Sequence, residues 1–246
     1  MDMGLAPQKY LIGIVVALLV GFSKTGIPNI GMLYVPLMAE MFPARQSVGA
    51  LLPLLIVGDV FAVYYYKRHA QWKHLRPLLP FVYMGMVPAL ILLRHIKDAQ
   101  LRPVLGAIVG GLLVVELARR KFQWTNAPHT WWFAAIMGVL AGFATTVGNV
   151  AGSVMTVYLI SRGLPKENFM GTSAWYYMIV NVSKFPFFYS LGMINAETLH
   201  VNLILAPFAI AGALAGVRIL PYIPQKTFNA LMLALAAIAA ARMILF

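Results

Sequence analysis

The chain has 246 residues, 61% hydrophobic and 11% charged, with a mean hydropathy of +0.80. Soluble domains are about 45–50% apolar and about 25% charged, so polar side chains here are too few to cover a water-soluble particle, and lipid must cover the rest. There is no cysteine, which excludes a disulfide framework, a thiolate metal site and a cysteine nucleophile.

The formal net charge of +12 sits in short loops between apolar runs. That placement points to membrane orientation by loop lysines and arginines rather than to nucleic-acid binding, and it also favours anionic solutes. At about 20 apolar residues per span, the length allows about eight membrane segments and leaves no room for a separate soluble domain. Asp2 precedes the first basic residue, and no small-residue cleavage site follows the first apolar run. The chain therefore reads as mature membrane helix from Tyr10 onward rather than as a cleavable signal.

In chain order, the first apolar run covers residues 10–39 and holds one charge, Lys24. The next, 47–66, holds Asp59, and 77–93 holds none. Residues 103–118 carry only Glu116, near the end. After a polar stretch at 119–130, residues 131–161 are uncharged and 169–196 contain only Lys184. Runs at 201–217 and 227–241 complete the set. The 31-residue run at 131–161 would be about 46 Å long as one helix, against a hydrocarbon core of about 30 Å. Both it and the first run are interrupted by helix-breaking and capping residues, GFSKTGIPNIG at 21–31 and GFATTVGNVAG at 142–152.

The two breaks are related. Gly21, Phe22, Thr25 and Gly31 fall on Gly142, Phe143, Thr146 and Gly152 at one constant shift. Pro43, Gly49 and Asp59 fall on Pro165, Gly171 and Asn181 one residue further on. The expected architecture is an all-α polytopic integral membrane protein with a single membrane domain. Two structural repeats, about 10–118 and 131–245, each comprise a broken element and three transmembrane helices.

A broken element can be one interrupted span or a re-entrant hairpin. Hairpins give inverted repeats, with 11 basic residues inside and six outside; crossing elements give parallel repeats, with nine and eight. The positive-inside rule favours the inverted arrangement, which places both termini outside.

Inverted repeats with broken helices put solute sites near the midplane, where half-helix N-termini gather. Pro28 suits the start of a half-helix, with Lys24, Thr25 and Asn29 beside it. Thr145, Thr146, Asn149 and Ser153 occupy the matching ground. Helix N-termini attract anions, and Lys24 adds a full charge. Lys24 could instead snorkel to an interface, although its place inside a helix-breaking segment favours the site. The hydroxyl and amide side chains could equally only cap helix ends.

Lys184 is a second cation in an apolar run, where a charge costs about 2.5–3.5 kcal/mol on insertion scales. Asp59 is its expected partner in a structural ion pair. Anion binding by Lys184 and proton coupling through Asp59, with Asn181 in the same polar layer, are the alternatives. His69, His74, His95, His129 and His200 lie in or near loops without metal-ligand spacing. Tyr64, Tyr65, Tyr66, Trp72, Trp124, Trp131 and Trp132 sit at run ends and read as interfacial aromatic belts. No metal, cofactor, nucleotide or nucleophile motif is evident, so a transporter is expected rather than an enzyme. A passive anion channel with a paired half-helix filter is the competing reading.

At these breaks the sequence resembles the TauE/SafE (sulfite exporter-like) family of bacterial membrane transporters. The resemblance rests on GFSKTGIPNIGMLYVP at 21–36, FPARQSVGALLPLLIVGD at 42–59, RHAQW at 68–72, the break at 142–152 and GTSA at 171–174. It implies secondary transport of small sulfur-containing anions, such as sulfite, thiosulfate or organosulfonates like sulfoacetate, without ATP. It also implies a place in the bacterial inner (cytoplasmic) membrane. The residues it singles out are Lys24, Thr25, Asn29 and their counterparts in the second half. The expected partners are the anion and the lipid bilayer, with no nucleic acid. A homodimer is compatible with a transporter of this size.

Overall fold

The structure is a computed structural model, which describes residues 7–26, 31–101, 103–104, 107–108, 111, 130–219 and 222. The described residues are all-helical apart from turns. α1 is Pro7–Thr25, α2 Gly31–Met41 and α3 Ala44–Tyr66, followed by a 3-10 turn at Lys67–His69. Then come α4 at Trp72–Leu75 and α5 at Leu79–His95. The second half contributes α6 at Trp131–Gly148, α7 at Gly152–Ser161, α8 at Lys166–Ser190 and α9 at Ala196–Ile219. Pro28, Asn29, Glu116, most of the run at 103–118 and the run at 227–241 lie outside the described residues.

α3 with its 3-10 extension, α6 and α9 are long and apolar enough to cross a membrane, and α5 is a shorter apolar helix. Large apolar side chains face outward at helical spacing: Leu11, Val15 and Leu18 on α1, Met84, Val87 and Ile91 on α5, Ile136 and Leu140 on α6, Leu199 and Leu203 on α9. A water-soluble monomer rarely exposes such continuous apolar stripes; in a bilayer they are the lipid-facing surface. Prolines inside α2, α3, α5, α8 and α9 (Pro36, Pro53, Pro88, Pro186 and Pro207) are tolerated as in other membrane helices, where neighbouring groups satisfy the freed backbone.

Both long runs are broken, the first between Thr25 and Gly31 and the second between Gly148 and Gly152. The last turn of α6 closes on Asn149, in the left-handed region at φ 57° and ψ 28°, with its N–H donating to the carbonyls of Ala144 and Thr145. Asparagine tolerates that conformation because its short side chain bonds locally. The two arms of each broken element run antiparallel. At the first, the Lys9 ammonium at the start of α1 donates to the Met41 carbonyl at the end of α2, at 3.4 Å. At the second, the rings of Phe133 and Tyr158, at the start of α6 and the end of α7, stack with centroids 6.4 Å apart. The long helices after each hairpin begin alike: Pro43 before α3 and Pro165 before α8 are both extended, with ψ of 149° and 155°.

Three helix pairs make the core. α3 and α8 are antiparallel, since Gly49 abuts the Met193 carbonyl, Asp59 meets Asn181, and Gly171 abuts Tyr66. α1 and α9 run parallel, with Gly13 beside Leu205, Gly21 beside Ala209 and Gly26 beside Gly216. In that pair Gly21 meets the Ala209 carbonyl and Gly212 meets the Leu18 carbonyl. Between α5 and α6, Gly142 meets the Val82 carbonyl and Gly85 meets the Val139 carbonyl. A Cβ at Gly21, Gly85, Gly142 or Gly212 would collide with backbone. Close backbone approach through small residues is how membrane helices associate when lipid removes the hydrophobic drive between them.

The bundle has two unlike ends. At one, the backbone N–H of Arg45 donates to Asp98 Oδ1 at 2.8 Å, near Lys9, Arg94 and Lys97. At the other, the Gln71 N–H donates to Thr172 Oγ1 and the Tyr158 hydroxyl to the His74 carbonyl. This second end gathers Lys67, Arg68, Lys73, Arg76, Arg162 and Arg218.

Candidate functional site

Between the hairpins, walled by α3 and α8, lies a polar cavity. α1 contributes Ser23 and Lys24, α2 Tyr34, and α3 Asp59. The second hairpin gives Thr145, Asn149 and Gly152, the last at the N-terminus of α7, and α8 gives Ser173, Tyr177 and Asn181. Five residues expected from the sequence (Lys24, Asp59, Thr145, Asn149 and Asn181) thus meet in one place.

Lys24 and Asp59 form an ion pair at 2.8 Å, with side chains 7% and 0% exposed. The expected pairing of Asp59 with Lys184 is therefore corrected: the acid is held by Lys24, which the last turn of α1 carries up to the middle of α3. The other Asp59 oxygen accepts from Asn181 Nδ2 at 2.6 Å. The ring of Tyr177 lies 4.1 Å from the Lys24 nitrogen, a cation–π contact that strengthens in a desolvated site. Donation to Asp59 fixes the Asn181 amide, and its Oδ1 is buried without a hydrogen-bond partner among the described residues. That oxygen can accept from a donor group in the cavity.

Lys184 is fully buried but does not line the cavity. Its ammonium donates to the Thr145 carbonyl at 2.8 Å, to Thr145 Oγ1 at 3.0 Å and to Asn149 Oδ1 at 2.8 Å. Asn149 is oriented by its own Nδ2, which donates to the Val48 carbonyl at 2.9 Å. Lys184 therefore stands behind two cavity-wall residues rather than facing the space.

Thr25 and Thr146 are brought elsewhere. The Thr25 hydroxyl donates to the Ala213 carbonyl at 2.7 Å, joining α1 to α9. Thr146 donates to the Gly142 carbonyl one turn back, at 2.8 Å. Both are fully buried and donate to backbone carbonyls, which is neither a cavity contact nor the helix-end capping that was the alternative. Asn29 lies outside the described residues, as does the side chain of Ser153, whose backbone belongs to the first turn of α7. Tyr34, Tyr177, Ser23 and Ser173 were not expected at the site; Ser23, Tyr34 and Ser173 stand inside the stretches quoted above, but as an aromatic in an apolar run each tyrosine looks like ordinary packing.

Charge is the distinctive property of this layer. Among the described residues its buried ionisable groups of opposite kind are Lys24 and Lys184 against Asp59, leaving one lysine without an acid partner. No group of three or more metal-ligating side chains occurs among the described residues.

The sequence matches the family model described as "Sulfite exporter TauE/SafE" over residues 11–243. No curated protein and no solved structure matches the chain. With nearly its whole length matched and its helices apolar enough to cross a bilayer, the chain belongs to the sulfite exporter TauE/SafE family, as a multi-pass membrane transporter.

Proposed function

We propose that this protein is a secondary carrier, working as an exporter of small sulfur-containing anions such as sulfite or an organosulfonate like sulfoacetate, in the bacterial inner membrane. The observation that carries the reading is the buried layer with two lysines against one aspartate. A net positive charge away from water is costly, and an anion in the adjoining cavity offsets it. Asp59 then serves as an internal stand-in for the substrate. When an anion enters, the Lys24 ammonium turns from the carboxylate towards it, across a distance that a flexible four-carbon stem can cover. The N-terminal turn of α7 at Gly152 and the hydroxyls of Ser23, Tyr34, Ser173 and Tyr177 supply further donors.

Alternating access follows from two inverted halves rocking around this fixed site. Several features support such halves. The hairpins match in order but enter from opposite ends, Lys9 and Met41 lying at the Arg45–Asp98 end and Tyr158 at the His74 end, and α3 and α8, which correspond, are antiparallel. The α1–α9 and α5–α6 contacts also correspond: Leu18 and Gly21 map to Val139 and Gly142 at one shift, Val82 and Gly85 to Ala209 and Gly212 at another. A two-fold axis that reverses membrane helices lies in the membrane plane. The more basic end would face the cytoplasm.

Counterflow in proteoliposomes tests the carrier. Labelled sulfite or sulfoacetate outside should accumulate transiently when the same unlabelled anion is loaded inside. Leak without counterflow would make the protein a channel, and absence of flux for both anions would remove the sulfur-anion assignment.

A further inference from the structure

We infer that the Thr145 carbonyl, Thr145 Oγ1 and Asn149 Oδ1 form a monovalent-cation site, which Lys184 fills with its own ammonium as a tethered cation. This departs from the sequence-based expectation that Lys184 binds substrate. An ammonium has three donors, and all three are spent on these oxygens, at 2.8, 3.0 and 2.8 Å. None is left for a solute.

The cage is made of neutral oxygens, the carbonyl, hydroxyl and amide groups that replace water around a monovalent ion in a membrane. It stands at the C-terminal end of α6, where the Thr145 carbonyl accepts from the Asn149 N–H and keeps a second lone pair for a cation, and the helix dipole is negative. Its geometry is held from outside: Asn149 is locked in the left-handed conformation and by the Val48 carbonyl, so Oδ1 keeps its aim whatever sits in front of it. The Phe188 ring closes another side, 5.6 Å from the nitrogen. Thr145 and Asn149 also line the central cavity while Lys184 does not, so an ion from the cavity can reach the cage once the lysine is removed.

A built-in cation makes an alkali ion unnecessary at this position. That consequence for transport rests on the carrier reading; the cage itself does not. The test therefore has two arms. In the first, apparent Tm is measured in detergent for wild type, Lys184→Ala and Lys184→Met, in choline chloride and in methylammonium, potassium or sodium chloride. The wild type should be indifferent to the cation. Lys184→Ala should melt lower in choline and recover by at least about 3 °C in one of the small cations. Lys184→Met, whose stem blocks the cage without supplying charge, should stay low in every salt.

An unresponsive Lys184→Ala, or a Lys184→Met as stable as wild type in choline, overturns the proposal. If Lys184→Ala is not recovered folded, Lys184→Met decides alone. In the second arm, wild-type anion flux should be equal in sodium and choline, whereas Lys184→Ala should regain flux only with the rescuing cation. Rescue of Tm in a protein that moves neither anion would leave the cage standing and remove only the carrier function.

Discussion

At the scale of single residues, the site turns on which acid meets which base. Lys24 and Lys184 look equivalent in the sequence, each a lone cation in an apolar run. The structure separates them by depth and rotation: the end of α1 brings Lys24 to Asp59, and α8 turns Lys184 towards the end of α6. Neither quantity is written in residue spacing, which is why the site was legible as a set of residues but not in its pairings. Removing one partner of a buried pair costs about 3–5 kcal/mol, because the other charge is stranded. Lys24→Met should therefore lower the apparent Tm sharply, and adding Asp59→Asn should restore much of the loss. Neither variant should transport. A single Lys24→Met as stable as wild type would remove Lys24 from the pair. Asp59→Asn alone should leave Lys24 without its carboxylate and reduce the yield of folded protein, which size-exclusion profiles of detergent extracts would show.

At the scale of elements, the hairpins were the most legible feature, since Gly21, Gly26, Gly142, Asn149 and Gly152 are poor helix-interior residues inside runs too long for one span. That the two arms of each element run antiparallel shows only in contacts, Lys9 against Met41 and Phe133 against Tyr158, which are invisible to composition. The role of Thr25 was equally hidden, because its acceptor lies 188 residues away on α9. Tyr34 and Tyr177 were missed because an aromatic in an apolar run carries no mark of facing a cavity. Packing predicts a pair of matched lesions: Gly21→Val and Gly142→Val each force a side chain into a neighbouring backbone carbonyl and should abolish recovery of folded protein. Leu11→Val, at a side chain 66% exposed to lipid, should change melting by less than about 1 °C. Equal recovery of all three would mean the helices are not in the contact described.

For the whole molecule, the proposed inverted halves place the end rich in Lys67, Arg68, Lys73 and Arg76 in the cytoplasm and the start of α1 on the opposite side. Reporter fusions check this directly. A reporter in the turn at Lys67–His69 should read cytoplasmic, and one ahead of α1 periplasmic; the reverse would overturn the orientation, and the same side for both would overturn the three-crossing half. That the chain is a membrane protein followed from composition alone, because no arrangement of so few charges covers a soluble particle. The direction of each segment did not, because it depends on charge differences of a few residues between the two faces.

If the layer with two lysines against one aspartate is an anion site, the purified protein should bind the anion through it. Sulfite and sulfoacetate would be titrated against wild type and against Lys24→Met/Asp59→Asn, a variant that loses the mobile cation while keeping the layer's net charge. Both would be followed by the rise in apparent Tm with ligand, which grows logarithmically once the site saturates. Wild type should show a saturable rise with at least one of the two anions, and the double variant none. Equal stabilisation of the two proteins would contradict it, showing that the anion binds elsewhere or that net charge alone, without Lys24, holds it.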